Sequence, residues 1–201
     1  MDRSFQLPGL HIYEYLVVID LPEELRQRIE QCRAELTQKY QITQPHTGRT
    51  NVSLVRFSAM KMAEERIIQR LQMIAMDEKQ FMIDLQDYGS YPMHAIFIRI
   101  ANQPRVLQLI KKIKKARSLM KAGGEDPHFL QDPNIALAGR MENKKYVEAM
   151  KEYQHNKFSG HFIADSFLLL KRVKDEKKYN VVKRFEFPCT ALLNGQSVLF
   201  K

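Results

Sequence analysis

The sequence predicts an α+β chain folded as two similar lobes about a pseudo-twofold axis, with a cleft between them. Three observations lead there: an internal repeat with an offset near 82 residues, the same strand–helix alternation in each copy, and an additional strand pair after the second copy. The 201 residues are 44% hydrophobic and 27% charged, enough for a sizeable core. A single copy of roughly 80 residues is small for an independent core, so the two are expected to pack together and to bind a ligand between them.

Each element follows from its local pattern. Tyr15 to Leu21 is an apolar, strand-forming run that stops at Pro22, and Glu23 to Lys39 carries apolar residues at helical spacing (Leu25, Ile29, Cys32, Leu36). Proline suits the first turn of a helix, where its missing N–H has no intrahelical partner. The pattern returns as a strand over Ala95 to Ala101, then Pro104 and a helix over Arg105 to Met120, with Val106, Leu109, Ile110, Ile113 and Met120 as its buried stripe. PHTGRTNVSLVRF (Pro45 to Phe57) answers PHFLQDPNIALAGRM (Pro127 to Met141): His46 and His128 are 82 residues apart, Asn51 and Asn134 are 83 apart. Helices over Met62 to Met76 and Asn143 to His155 follow, and FMID (Phe81 to Asp84) answers FIAD (Phe162 to Asp165). Lobe 1 is thus expected over about 12–92 and lobe 2 over about 93–173 of one bilobal domain spanning 1–201. Strands over Ser166 to Val173 and Tyr179 to Phe187 close the pattern, the final one (178–187) completing a sheet. KAGGEDP (Lys121 to Pro127) reads as a mobile loop.

Composition narrows the function classes. A net charge of +9 attracts phosphates, whether in nucleic acid, nucleotides or acidic lipids. Much of the excess (Lys111, Lys112, Lys114, Lys115, Arg117 and Lys121) falls on one helix and reads first as its solvated face. There is no apolar run of transmembrane length and no secretory pattern in residues 1–10, which gives a cytoplasmic expectation without membrane contact. Cys32 and Cys189 have no motif spacing and suit a reducing compartment. The six histidines lack metal-ligand spacing, so neither metal nor cofactor is expected.

Asn51-Val52-Ser53-Leu54 and Asn134-Ile135-Ala136-Leu137 form a symmetric pair. On strands, alternation sends Asn51 and Ser53, and likewise Asn134 and Ala136, to one face, with the apolar residues on the other. The apolar set belongs to the core and the small polar set to the cleft.

Taken together, NVSLVRF, PHFLQDPNIALAGRM, QDYGSYP and HFIADSFLLLKR resemble, in their relative places, the motif blocks of the two-histidine phosphoesterases, the group of 2′-5′ RNA ligases and LigT-like cyclic phosphodiesterases. The resemblance covers about residues 12–187. It implies antiparallel sheets facing a central cleft with helices outside. It also implies a His-x-Thr/Ser-x motif on a central strand of each lobe, with one histidine acting as base and the other as acid, and with hydroxyls binding phosphate oxygens without a metal. Here Asn51 and Asn134 replace both histidines and Ala136 replaces one hydroxyl residue, while Ser53 keeps the other. An amide cannot exchange a proton near neutral pH, and loss of general acid–base help removes roughly 10²–10⁴-fold of rate per group. The expectation is a catalytically degenerate homologue, a pseudoenzyme that binds a nucleotide, an RNA end or another phosphorylated ligand. RNA contact through the basic surface goes with that reading.

Two alternatives stay open. One is an active cyclic phosphodiesterase or RNA ligase-type enzyme with relocated acid–base groups, for which His46 and His128 are the candidates. They would have to fold back over roughly 16–20 Å of extended chain. The other is a protein-interaction scaffold. Further ligand-binding candidates are Arg140, which shares the parity of Asn134, Tyr88 and Tyr91 as stacking rings, and Lys121 as a phosphate contact. Arg56 has the parity of Val52 and Leu54, which assigns it a structural or surface role.

Overall fold

A computed structural model describes residues 11–42, 48–92, 95–122, 124–139, 141–174, 176 and 178–189. β1 (Ile12–Asp20) leads into α1 (Glu23–Lys39), and β2 (Asn51–Met60) into α2 (Glu64–Met76) through a single 3-10 turn. β3 (Phe81–Tyr91) then ends the first repeat. The second repeat runs β4 (Ala95–Ile100), α3 (Gln103–Ile113), the two-residue β5 (His128–Phe129), β6 (Asn134–Ala138), α4 (Asn143–Tyr153) and β7 (Ser159–Ala164). β8 (Ser166–Val173) and β9 (Asn180–Glu186) follow.

α1 has the predicted bounds. Pro22 precedes it, Glu23 and Glu24 sit in its first turn and Lys39 in its last, all matching the helix dipole. α3 is shorter than predicted, tightening to 3-10 geometry over Lys114–Leu119. Lys111 and Lys115 repel each other four residues apart, which weakens a longer α-helix there.

The two antiparallel sheets have strand orders β5-β2-β1-β8-β9 (sheet A) and β6-β4-β3-β7 (sheet B). Neither is built from one repeat. β3 crosses to sheet B, between β4 and β7, and β8 returns to sheet A beside β1. FMID and FIAD are therefore direct register partners (Phe81 with Ala164, Ile83 with Phe162), not counterparts across the axis. By sheet position the counterpart of β3 is β8.

The helices cross over as well. α1 and α4 back sheet B, where Leu25 lies against Gly160 and the Tyr153 ring stands edge-on to Tyr88 at 4.9 Å. α2 and α3 back sheet A, with α2 against β9, α3 against β2, and the Tyr15 hydroxyl donating to Glu64 at 2.9 Å. One apolar core, from Tyr15 and Val17 through Ile29, Leu71 and Ile98 to Phe167, consequently runs through both lobes. Helices lie on the outer faces and the inner sheet faces border the cleft, as the sequence predicts. Among the described residues, no helix is long and apolar enough to cross a membrane.

Candidate functional site

The two motif strands share a detail that alternation alone does not reveal. Along β1–β2 the register passes from Val18–Ser53 to Val17–Val55, leaving Leu54 as a bulge. Along β4–β6 it passes from Phe97–Ala136 to Ile96–Ala138, leaving Leu137 as a bulge. The repeats therefore match down to the bulged leucine, which lies three residues after each asparagine. Before the bulges the predicted faces hold: Val52, Leu54, Ile135 and Leu137 are buried, while Asn51, Ser53, Asn134 and Ala136 are half-buried on the cleft side.

Each asparagine is anchored in the same way. Asn51 Nδ2 donates to the Arg49 carbonyl at 2.8 Å, and Asn134 Nδ2 to the Asp132 carbonyl at 3.0 Å. A carbonyl only accepts, so both amides must turn Oδ1 away from that contact. Ser53 Oγ donates to Asn51 Oδ1 at 3.1 Å. Asn134 Nδ2 also reaches the Tyr91 hydroxyl at 3.2 Å, and that hydroxyl donates to Asp132. Burial, reinforced by the Asp132 carboxylate, pushes the Tyr91 hydroxyl up to about 12, so it stays a donor at neutral pH. Neither amide can transfer a proton, so the arrangement offers hydrogen bonds without acid–base exchange.

The surroundings differ in charge. Asp20, the register partner of Asn51, accepts from Arg26 at 2.9 Å and from Arg49 at 3.2 and 2.7 Å. The register partner of Asn134 is Arg99, which is exposed. Arg99, Phe97, Gln86, Gln103 and Asp132 border a depression of ≈ 580 Å³. At Gln86 it adjoins another of ≈ 630 Å³ between the start of α1 and strands β3 and β7. Between the lobes, the buried Arg33 of α1 donates to the Gly48 carbonyl at 3.0 Å and to the Ala136 carbonyl at 2.9 Å. It thereby ties the approach to β2 directly to β6. Burial lowers its pKa, with the nearby Glu30 carboxylate opposing that shift.

The other predicted residues scatter. Tyr91 reaches Asn134, as described. Tyr88 does not enter the cleft: Asp87, at φ 55°, is a bulge between Gln86 and Tyr88, which turns Tyr88 into the core against Tyr153 and Phe158. Lys121 is held by Asp126 at 2.5 Å within its own loop. That loop is less free than predicted, because Ala122 bridges Glu125 and Ser58 donates to Glu125. His128 lies on β5, paired with Arg56 at the edge of β2 beyond the Leu54 bulge. The same bulge reverses the parity of Arg56, which is exposed on the cleft face, not aligned with Val52. His46 and Arg140 lie outside the described residues. Sequence reasoning missed Arg99 and Arg33. The signal for Arg99 was a lone cation in the apolar run AIFIRI, whereas Arg33 lacked one. Among the described residues no cluster of His, Cys, Asp and Glu could hold a metal ion.

No protein-family model and no curated protein matches the sequence. Solved structures do match. Escherichia coli LigT complexed with 3′-AMP aligns over 88% of this chain and 99% of its own, at 17% identity and a TM-score of 0.64. A structure described as a phosphoesterase aligns over 87% and 98%, at 18% identity and a TM-score of 0.61. The Thermus thermophilus protein TT0787 aligns over 88% and 99%, at 16% identity and a TM-score of 0.58. The chain has the LigT fold over nearly the whole length of these proteins. Other LigT structures contain ATP, NADP+ or phosphate.

Proposed function

We propose that this protein is a two-histidine phosphoesterase homologue that has given up two-imidazole catalysis and binds a nucleotide, an RNA end or another phosphorylated ligand in its inter-lobe cleft. The observation that carries the reading is the matched pair Asn51 and Asn134. Each stands three residues before a bulged leucine, on the cleft face, with its amide fixed to the carbonyl two residues earlier. An imidazole there could donate from one ring nitrogen to that carbonyl and offer the other to a substrate. The amide keeps the anchor and loses the titration. The ligands in the LigT structures support a phosphorylated nucleotide as the first probe.

Titration with ATP, 3′-AMP and a short RNA, alongside an assay for hydrolysis of a 2′,3′-cyclic nucleotide, tests the reading. Binding without turnover, weakened by Ser53→Ala, is expected. Turnover that His128→Ala or His46→Ala abolishes would refute it.

A further inference from the structure

The two ends of the cleft occupy equivalent positions but present different charged groups. Asp20 faces Asn51 across one strand pair and Arg99 faces Asn134 across the other. The Asp20 end is neutralised in place by Arg26 and Arg49, with Arg26 also paired to Glu23. The exposed Arg99 makes no ion pair among the described residues. Room for its side chain is built in: a Cβ on Gly89 would lie 2.8 Å from Arg99 Nε and 2.4 Å from the Phe97 ring. Only a bare backbone lets the guanidinium lie across β3 beside that ring. The group borders the ≈ 580 Å³ depression together with the amides of Gln86 and Gln103. Asp87, paired with Lys157 at 3.3 Å, also borders it, as does Asp132, whose oxygens accept from Tyr91 and, at 2.5 Å, from Gln103. The Asp132 carboxylate is therefore turned toward these donors.

We infer that Arg99 is the anion-binding residue of the cleft, and that a bound nucleotide places its phosphate in the depression beside Asn134 instead of midway between the asparagines. This rests on the nucleotide-binding reading above and assigns the ligand a direction. The planar guanidinium takes two phosphate oxygens, a task that Ala136 cannot share because it has no hydroxyl. Asn134 Oδ1, which has no partner among the described residues, accepts from a ligand hydroxyl. The Asn51 end, where Asp20 and Glu23 balance Arg26 and Arg49, receives the neutral part of the ligand; Arg56, exposed five residues further along β2, lies beyond the Leu54 bulge.

Calorimetric titration of the full chain with ATP, and with adenosine as the phosphate-free probe, at about 50 and about 200 mM salt tests this. Arg99→Gln is expected to weaken ATP binding by roughly 10-fold or more and to flatten its salt dependence, with adenosine binding unchanged. Arg99→Lys, a point charge without the fork, should fall between. Arg99 is exposed, so the variants should melt with the wild type. Wild-type ATP affinity in Arg99→Gln, or an equal loss for adenosine, overturns the inference while leaving nucleotide binding intact. A wild-type protein that binds neither ATP nor 3′-AMP overturns both.

Discussion

Replacing Arg33 by methionine keeps most of the side-chain volume and removes the charge that joins the two motif strands. The wild-type guanidinium makes two charge-assisted bonds, to Gly48 and Ala136, each worth about 1.5–3 kcal/mol. Against that stand the cost of burying the charge and a buried Nε without a partner among the described residues. In Arg33→Met the Gly48 carbonyl, on an exposed residue, regains water, while that of the half-buried Ala136 regains less. The balance is a loss of about 1–3 kcal/mol, or a Tm lower by roughly 2–10 °C for a chain of this size. Thermal unfolding by circular dichroism gives the total. Amide hydrogen exchange gives the location: faster exchange should be confined to the start of β2 and to β6, with β7 and β9 unchanged. A variant as stable as the wild type, with unchanged exchange there, would mean that desolvation cancels the two bonds and that Arg33 does not hold the lobes in register.

Restoring imidazoles with Asn51→His and Asn134→His, together with Ala136→Thr, should raise 2′,3′-cyclic nucleotide hydrolysis by roughly 10²-fold or more over wild type, and either histidine alone should achieve far less; no gain in a folded triple variant would separate these positions from the chemistry. Gly89→Ala should cost about 1–3 kcal/mol in thermal unfolding, because the new methyl meets the Phe97 ring at 2.4 Å, and adding Phe97→Leu should recover part of it. Glu64 gives a pH test. Burial raises its carboxyl pKa, but Lys171, Lys61 and Tyr15 outweigh that and hold it below the usual carboxylate value. Its contribution is thus complete above its unfolded pKa near about 4.3 and fades as pH falls through the lower folded value. Glu64→Gln should melt lower at neutral pH, by about 1–3 kcal/mol since Lys61 and Lys171 keep access to water, and should converge on wild type in acid. Parallel melting curves from pH 7 to about pH 3 would remove Glu64 as a source of the acid sensitivity.

Elements were legible in the sequence because their signals are local. Pro22 with the Leu25, Ile29 and Leu36 spacing gave the bounds of α1, and alternation put Asn51, Ser53 and Asn134 on the cleft face. Alternation failed where the chain adds a residue. The bulge at Leu54 reversed Arg56, and the one at Asp87 sent Tyr88 to the core. A bulge leaves no mark in composition, because its extra residue is held by the neighbouring strand. The crossing of β3 into sheet B was hidden because the repeat assigned β3 and β4 to different lobes, whereas they pair as a hairpin from Tyr91–Ala95 to Leu85–Ile100, with β7 on the other edge of β3. Arg33 was invisible because a helical arginine reads as solvated charge until a second lobe closes over it.

The exchange of strands between sheets also governs how this chain can emerge from a ribosome. Sheet A needs Leu168 beside Val18 and Val173 beside Tyr13, contacts spanning some 150 residues. At about 5–20 residues per second, β1 waits several seconds or more with one edge unpaired while Tyr15, Val17 and Ile19 lack their final neighbours. Nascent chains arrested before residue 166 should accordingly depend on chaperones for solubility, and the translation of β8 and β9 determines when the cleft first exists.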